Sequence, residues 1–298
     1  MVTAAPAPSA TRAWWSAVRP ATLAASVAPV LTGTAIAVHE GGPRWGAGLG
    51  ALVVGLGMQL GVNFANDYSD FVRGADARRV GPLRAASSGV VDPDSVRRAA
   101  IGAFGVAALA GVALSLAVDW RLFLVGAACV LAGWLYTGGP RPYGYLGLGE
   151  VFVFLFFGLV ATVGTVYVEI GRITGLAVLM ACGMGFLATA ILVLNNLRDI
   201  ETDAAAGKRT LATRIGRERT RILLVLLIAA AFVVPIVAFV AQLAAVTILL
   251  VLISIPVASV PVRTALVSTV APELVGALKR VAITQLAYAL LFTLGILL

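Results

Sequence analysis

The sequence predicts an all-α membrane protein, with nine transmembrane helices in one bundle, the N-terminus cytoplasmic and the C-terminus outside. Three observations predict it. The 298 residues are 60% hydrophobic and only 12% charged, against about 25% charged residues in soluble domains. Apolar runs of about 20 residues, the length that crosses a bilayer as a helix, recur from end to end. All but three of the 22 Lys and Arg fall in alternate connections between those runs, an asymmetry that sets topology.

The elements follow in order. Residues 1–10, MVTAAPAPSA, read as a disordered tail, and residues 11–298 as one nine-helix domain. Arg12 and Arg19 follow that tail rather than lead it, the wrong order for a secretory signal. Trp14 and Trp15 read as an interfacial anchor before the first span. Spans are expected near 21–38, 47–66, 99–118, 121–137, 150–168, 174–196, 222–240, 243–262 and 281–298. Short alternating segments are lacking, which argues against a β-barrel.

One set of connections carries only Arg44, Arg121 and Arg172. The other basic residues share a side with the N-terminus, which the positive-inside rule makes cytoplasmic. Their position in short inter-span loops makes membrane lipid, and no nucleic acid, the partner of the +8 net charge. Cys129 and Cys182 lie inside apolar runs and read as small packing residues. His39 is the single histidine and sits beside Glu40 at a loop, so a His-based metal cluster is not expected.

The second span ends in VNFANDYSDFVRGAD, Val62 to Asp76. On a helix Asn63, Asn66, Asp67 and Asp70 share one face. The sixth span ends in LNNLRDIETDAAAGKRT, where Asn195, Asp199 and Asp203 again share one stripe. Acids at a helix C-terminus oppose the helix dipole, and four of them at one membrane depth repel unless a cation lies between. The donors are all oxygen, which selects a hard cation, Mg²⁺ before Zn²⁺. Two facing stripes would hold two or more Mg²⁺ and, through them, a diphosphate. Arg73, Arg78, Arg79 and Arg84 flank the first stripe, and Arg198, Lys208 and Arg209 the second.

Two rival patterns carry less weight. GKRT at 207–210 lacks the upstream glycine of a phosphate-binding loop, and GLGMQLG at 55–61 sits inside a span, where glycines serve helix packing. A transporter or ion channel would need acids across the bilayer, whereas these acids gather at one end.

The words NDYSD at 66–70 and NNLRDIETD at 195–203 are similar to the paired motifs of the UbiA superfamily of intramembrane prenyltransferases, and the resemblance covers nearly the whole chain. AVRPATL at 17–23, YTGGPRPYGYLGLGE at 136–150 and the extended stripes look most like the branch of menaquinone synthesis. The resemblance implies Mg²⁺-dependent transfer of a polyprenyl chain from its diphosphate to 1,4-dihydroxy-2-naphthoate, with decarboxylation. Acceptors of the hydroxybenzoate or homogentisate type are the alternative. It implies Mg²⁺ on Asp67, Asp70, Asp199 and Asp203, assisted by Asn63, Asn66 and Asn195. Arg84, Lys208 and Arg209 would stabilise the departing diphosphate, and Arg141, Tyr136 and Tyr143 would receive the aromatic acid. A multi-pass protein of a bacterial plasma membrane with a cytoplasmic site is expected. The general motif NDxxDxxxD has Gly74 at its last position here, and the next acid is Asp76.

Overall fold

A computed structural model describes residues 8–74 and 82–298, and all the regular structure among them is helical. Asp76, Arg78 and Arg79 lie outside the described residues. The helices are α1 (Ala10–Val18), α2 (Pro20–His39), α3 (Trp45–Val72), α4 (Pro93–Ala117), α5 (Leu122–Leu135), α6 (Gly149–Ile170), α7 (Gly175–Arg198), α8 (Ile200–Ala205), α9 (Leu211–Val240), α10 (Val246–Val267) and α11 (Ala271–Leu297). Among the described residues eight segments are long and apolar enough to cross a bilayer. The remaining expected span, 121–137, is the apolar but shorter α5, of 14 residues. The chain is a multi-pass, all-helical membrane protein.

Several boundaries differ from the sequence expectation for visible reasons. Residues 8–10 are not tail: the side chain of Ser9 caps α1, accepting from the Arg12 N–H at 3.3 Å. Helix α3 runs past 66 to Val72, so its polar stripe lies within the helix and not beyond it. Helix α9 begins at Leu211 and bends at Gly216, whose φ of 81° is open to glycine and strained for other residues. Beyond the bend, Arg221 donates to the Ala265 and Ser268 carbonyls at 2.8 and 3.0 Å. That caps the end of α10 and explains this buried arginine without ligand chemistry.

Helix α7 is the centre of the bundle: 72% of its apolar window is buried, against 22% for α4. Leu176, Met180, Met184, Leu187 and Leu194 of α7 are all buried in the main core. Helix α4 faces outward, with Leu109 72% and Leu116 77% exposed, surface that suits acyl chains and not water. Close crossings rest on glycine. A Cβ at Gly158 would lie 2.3 Å from the Gly185 Cα, so α6 and α7 meet backbone to backbone, where α6 widens to a π-helical turn over Phe154–Val160. Gly61, within the glycine-rich run, presses on the Phe104 ring of α4, which bears out its reading as a packing residue.

Candidate active site

The spacing of the first stripe is realised in α3: Asn63, Asn66, Asp67 and Asp70 are all buried on one face. Their partners divide them. Asn63 is tied to the start of the chain, its Nδ2 donating to the Val18 carbonyl at 2.9 Å and to Thr22 Oγ1 at 3.0 Å, while its Oδ1 accepts from Gln59. Asn66 Oδ1 accepts from Thr137 Oγ1 at 2.6 Å. The Asp67 carboxylate accepts the backbone N–H groups of Ala85 and Ala86 at 3.0 and 3.2 Å, so it holds down the segment leading to α4. Asp70 is the charged hub. It accepts from Arg84 at 3.1 Å, from the Tyr145 hydroxyl at 2.7 Å and from Lys208 at 2.8 Å.

The second stripe spans a break. Helix α7 ends at Arg198, Asp199 leaves helical geometry and α8 resumes at Ile200. Backbone bonds from Asp199 to Asn195 and from Asp203 to Asp199 still bridge the break, so the three side chains stay on one stripe. Arg198 grips the Asp199 carboxylate through two nitrogens, at 2.7 and 2.5 Å, and reaches Asn195 Oδ1 at 2.9 Å. Asn196, next to it, donates to the buried Glu150 of α6 at 2.9 Å. Lys208 joins the stripes: its ammonium is 2.8 Å from Asp70 and 3.6 Å from Asp203.

Two inter-helix connections set this contact. The Arg209 N–H donates to the Tyr145 carbonyl at 3.0 Å, which docks the 206–210 turn on the 142–147 turn. Arg73 at the end of α3 donates to the Gly139 carbonyl at 2.6 Å. The Tyr145 ring then lies under Lys208 at 4.7 Å and Arg73 at 5.4 Å, both favourable cation–π distances. Burial, followed by the negative charge of Asp70, pushes the Tyr145 hydroxyl well above its usual range, so it stays a donor.

A cavity of about 580 Å³ opens beside the stripes, bounded by α1, α2, α3, α7 and α11. Asn63 and Asn66 line it from the first stripe, Asn195 from the second, together with Arg84 and Arg198. Tyr136, Val153 and Phe157 form an apolar wall, and with Val62 they also line a second cavity of about 180 Å³ between α2, α3, α4, α5 and α6. A polar chamber therefore adjoins a greasy one at the Tyr136 ring.

The remaining expected site residues are dispersed. Arg141 and Arg209 are exposed, and neither lines either of these two cavities. Tyr143 faces the apolar cavity, stacked on Phe152 with ring centroids 4.0 Å apart, and its hydroxyl bonds the Ala132 carbonyl. Tyr145 carries the contact to the stripes instead, two residues along the same word. The spacing cannot reveal it, because the docking partner lies in a distant turn. Among the described residues no three His, Cys, Asp or Glu side chains form a metal cage.

The profile of the UbiA prenyltransferase family matches residues 26–296. The chain belongs to the UbiA prenyltransferase family. A UbiA relative in Mycobacterium leprae, named 1,4-dihydroxy-2-naphthoate octaprenyltransferase, is 46% identical over 76% of this chain and 78% of its own. Another of the same name, in Mycobacterium tuberculosis, is 48% identical over 70% of this chain and 72% of its own. The structure of a UbiA homologue from Archaeoglobus fulgidus, bound to GPP and Mg²⁺, aligns with a TM-score of 0.64 over 96% of this chain and 99% of that chain, at 15% identity. That likeness is one of fold. Both stripes fall inside the UbiA match, whereas α1 and its joint to α2 precede it.

Proposed function

We propose that the chain is an intramembrane prenyltransferase that transfers a polyprenyl chain from its diphosphate to 1,4-dihydroxy-2-naphthoate, with loss of the carboxyl group as CO2 and of diphosphate, giving the quinol form of demethylmenaquinone. The observation that carries the reading is the Lys208 ammonium between Asp70 and Asp203. It makes one cation-bearing centre out of two acidic stripes. Relatives at 46% and 48% identity named for this acceptor support the choice of substrate.

The donor set fits Mg²⁺. It offers carboxylate oxygens, and a cation already lies between two of them, an arrangement that suits an ion shared with substrate phosphates. Asp70, Asp199 and Asp203 would hold the metal, with Asn66 and Asn195 beside them. When bound, Mg²⁺ supplies positive charge to the diphosphate as the allylic C–O bond breaks.

The protein's own groups do the rest. Arg84 and Lys208, already at Asp70, stabilise the oxygens that take the C–O electron pair. Tyr136, Val153 and Phe157 keep water from the allylic cation. The electron-rich ring supplies the pair for the new C–C bond, and departure of CO2 returns a pair to the ring. The polyprenyl tail runs on into apolar surroundings and membrane lipid. The site faces the cytoplasm from the plasma membrane in this reading, which the bias of basic residues toward the connections on that side supports.

Purified protein given a polyprenyl diphosphate, Mg²⁺ and a panel of aromatic acids tests the reading. Prenylated product from dihydroxynaphthoate, abolished by EDTA, is expected. Turnover of hydroxybenzoate in its place would transfer the assignment to another acceptor.

A further inference from the structure

Among the described residues the larger cavity is lined by five cationic side chains, Arg12, Arg19, Arg84, Arg198 and Lys279, and by no carboxylate. Two of them are held at the stripes, Arg84 by Asp70 and Arg198 by Asp199. The other three come from α1, its joint to α2, and α11, elements that carry neither stripe. Among the described residues the Lys279 ammonium and the Arg12 guanidinium make no hydrogen bond or ion pair, and both residues are exposed and line the cavity.

The joint itself is unusual. Arg19 has φ 51° and ψ 66°, the left-handed region, in front of Pro20. A residue before proline favours extended backbone, and a non-glycine residue in this region is strained. The strain is held in place. The Thr22 hydroxyl donates to the Arg19 carbonyl at 2.9 Å, and Asn63 donates to both Thr22 and Val18. Asn63, expected as a ligand, thus positions a joint that delivers Arg19 to the cavity. The word AVRPATL acquires a physical reason.

We propose that Lys279 and Arg12, backed by Arg19, receive the carboxylate of the aromatic acceptor. The inference rests on the function proposed above. The diphosphate has its cations at the stripes, so a second anion in the same cavity needs a second cationic set. A carboxylate leaving water is strongly disfavoured unless paired. The same cavity offers aromatic surface, with Trp15, Tyr136 and Phe157 among its lining residues. A flat acid bound there keeps its ring against that wall and its charge at α1 and α11.

The test uses purified full-length protein and two compounds, 1,4-dihydroxy-2-naphthoate and the carboxylate-free 1,4-naphthalenediol. Lys279→Gln, Arg12→Gln and the double variant are compared with wild type, with Lys279→Arg as rescue. The double variant should raise KM for the acid by about tenfold or more, the scale of a lost charge-assisted hydrogen bond. KM for the prenyl diphosphate and the inhibition constant of the diol should stay near wild type, and Lys279→Arg should recover most of the loss. An unchanged KM for the acid overturns the proposal. So does a rise confined to the diphosphate, or an equal weakening of acid and diol, which would assign these cations to the other substrate or to lipid anchoring. A wild-type protein that makes no product from the acid would instead refute the proposed function.

Discussion

Lys208 places its ammonium 2.8 Å from the Asp70 carboxylate across 138 residues of sequence. Both side chains are nearly buried, at 10% and 5% exposure, so water screens the pair little. Removing one partner unbalances a buried charge cluster that also holds Arg84, Asp203 and Tyr145. Lys208→Met should lower turnover by about 10²- to 10³-fold, the range for loss of one transition-state charge donor. Asp70→Asn should do the same, and the double variant should lose little more, because the two act as one unit. Prenyl-transfer rates on matched amounts of folded protein check this; additive losses would mean that the residues act separately.

Asp67 and Asp70 are neighbours in one motif with different work. Asp67→Ala leaves the Ala85 and Ala86 N–H groups without their acceptor, and each buried unpaired donor costs about 1–3 kcal/mol. The thermal midpoint in detergent should fall by several degrees. Asp70→Ala should depress turnover more than its midpoint. A D67A protein with wild-type stability and no turnover would assign Asp67 to the metal, as the motif alone suggests.

Tyr145 donates to Asp70 and stays protonated because burial and that carboxylate both disfavour its charged form. Its raised value means the donor persists through the ordinary tyrosine range near 10. The ratio of Tyr145→Phe to wild-type turnover should be below one and flat from about pH 7 to 9. A ratio that climbs toward one as pH rises would show the hydroxyl ionising in that window.

Arg141 is exposed and lines neither cavity. Arg141→Ala should keep KM for dihydroxynaphthoate within about twofold of wild type, as for surface substitutions generally. A large rise in KM would return this arginine to the acceptor site.

Much of the site was legible in one dimension because a helix is periodic. The 3–4 spacing of Asn63, Asn66, Asp67 and Asp70 predicts one face, and all four are buried on it. The second stripe was legible for the same reason, even across the break at Asp199. Roles within a stripe were not. Nothing in NDYSD tells that Asp67 receives the Ala85 N–H or that Asp70 meets Lys208, because those partners lie 18 and 138 residues away. The Tyr143 and Tyr145 pair failed similarly. Which ring meets Asp70 depends on how two turns dock, and turns carry no periodicity.

The sequence by itself determined the membrane class, the apolar helices, the two acidic stripes and the family, since hydropathy, periodicity and motif are local properties of the chain. Tertiary structure decided that α5 is a short helix, that Lys208 closes the stripes into one centre, and that Asn63 braces a strained joint. It also decided that Arg12, Arg19 and Lys279 share a cavity with Arg84 and Arg198. These are distances between residues far apart in the chain, and packing alone sets them.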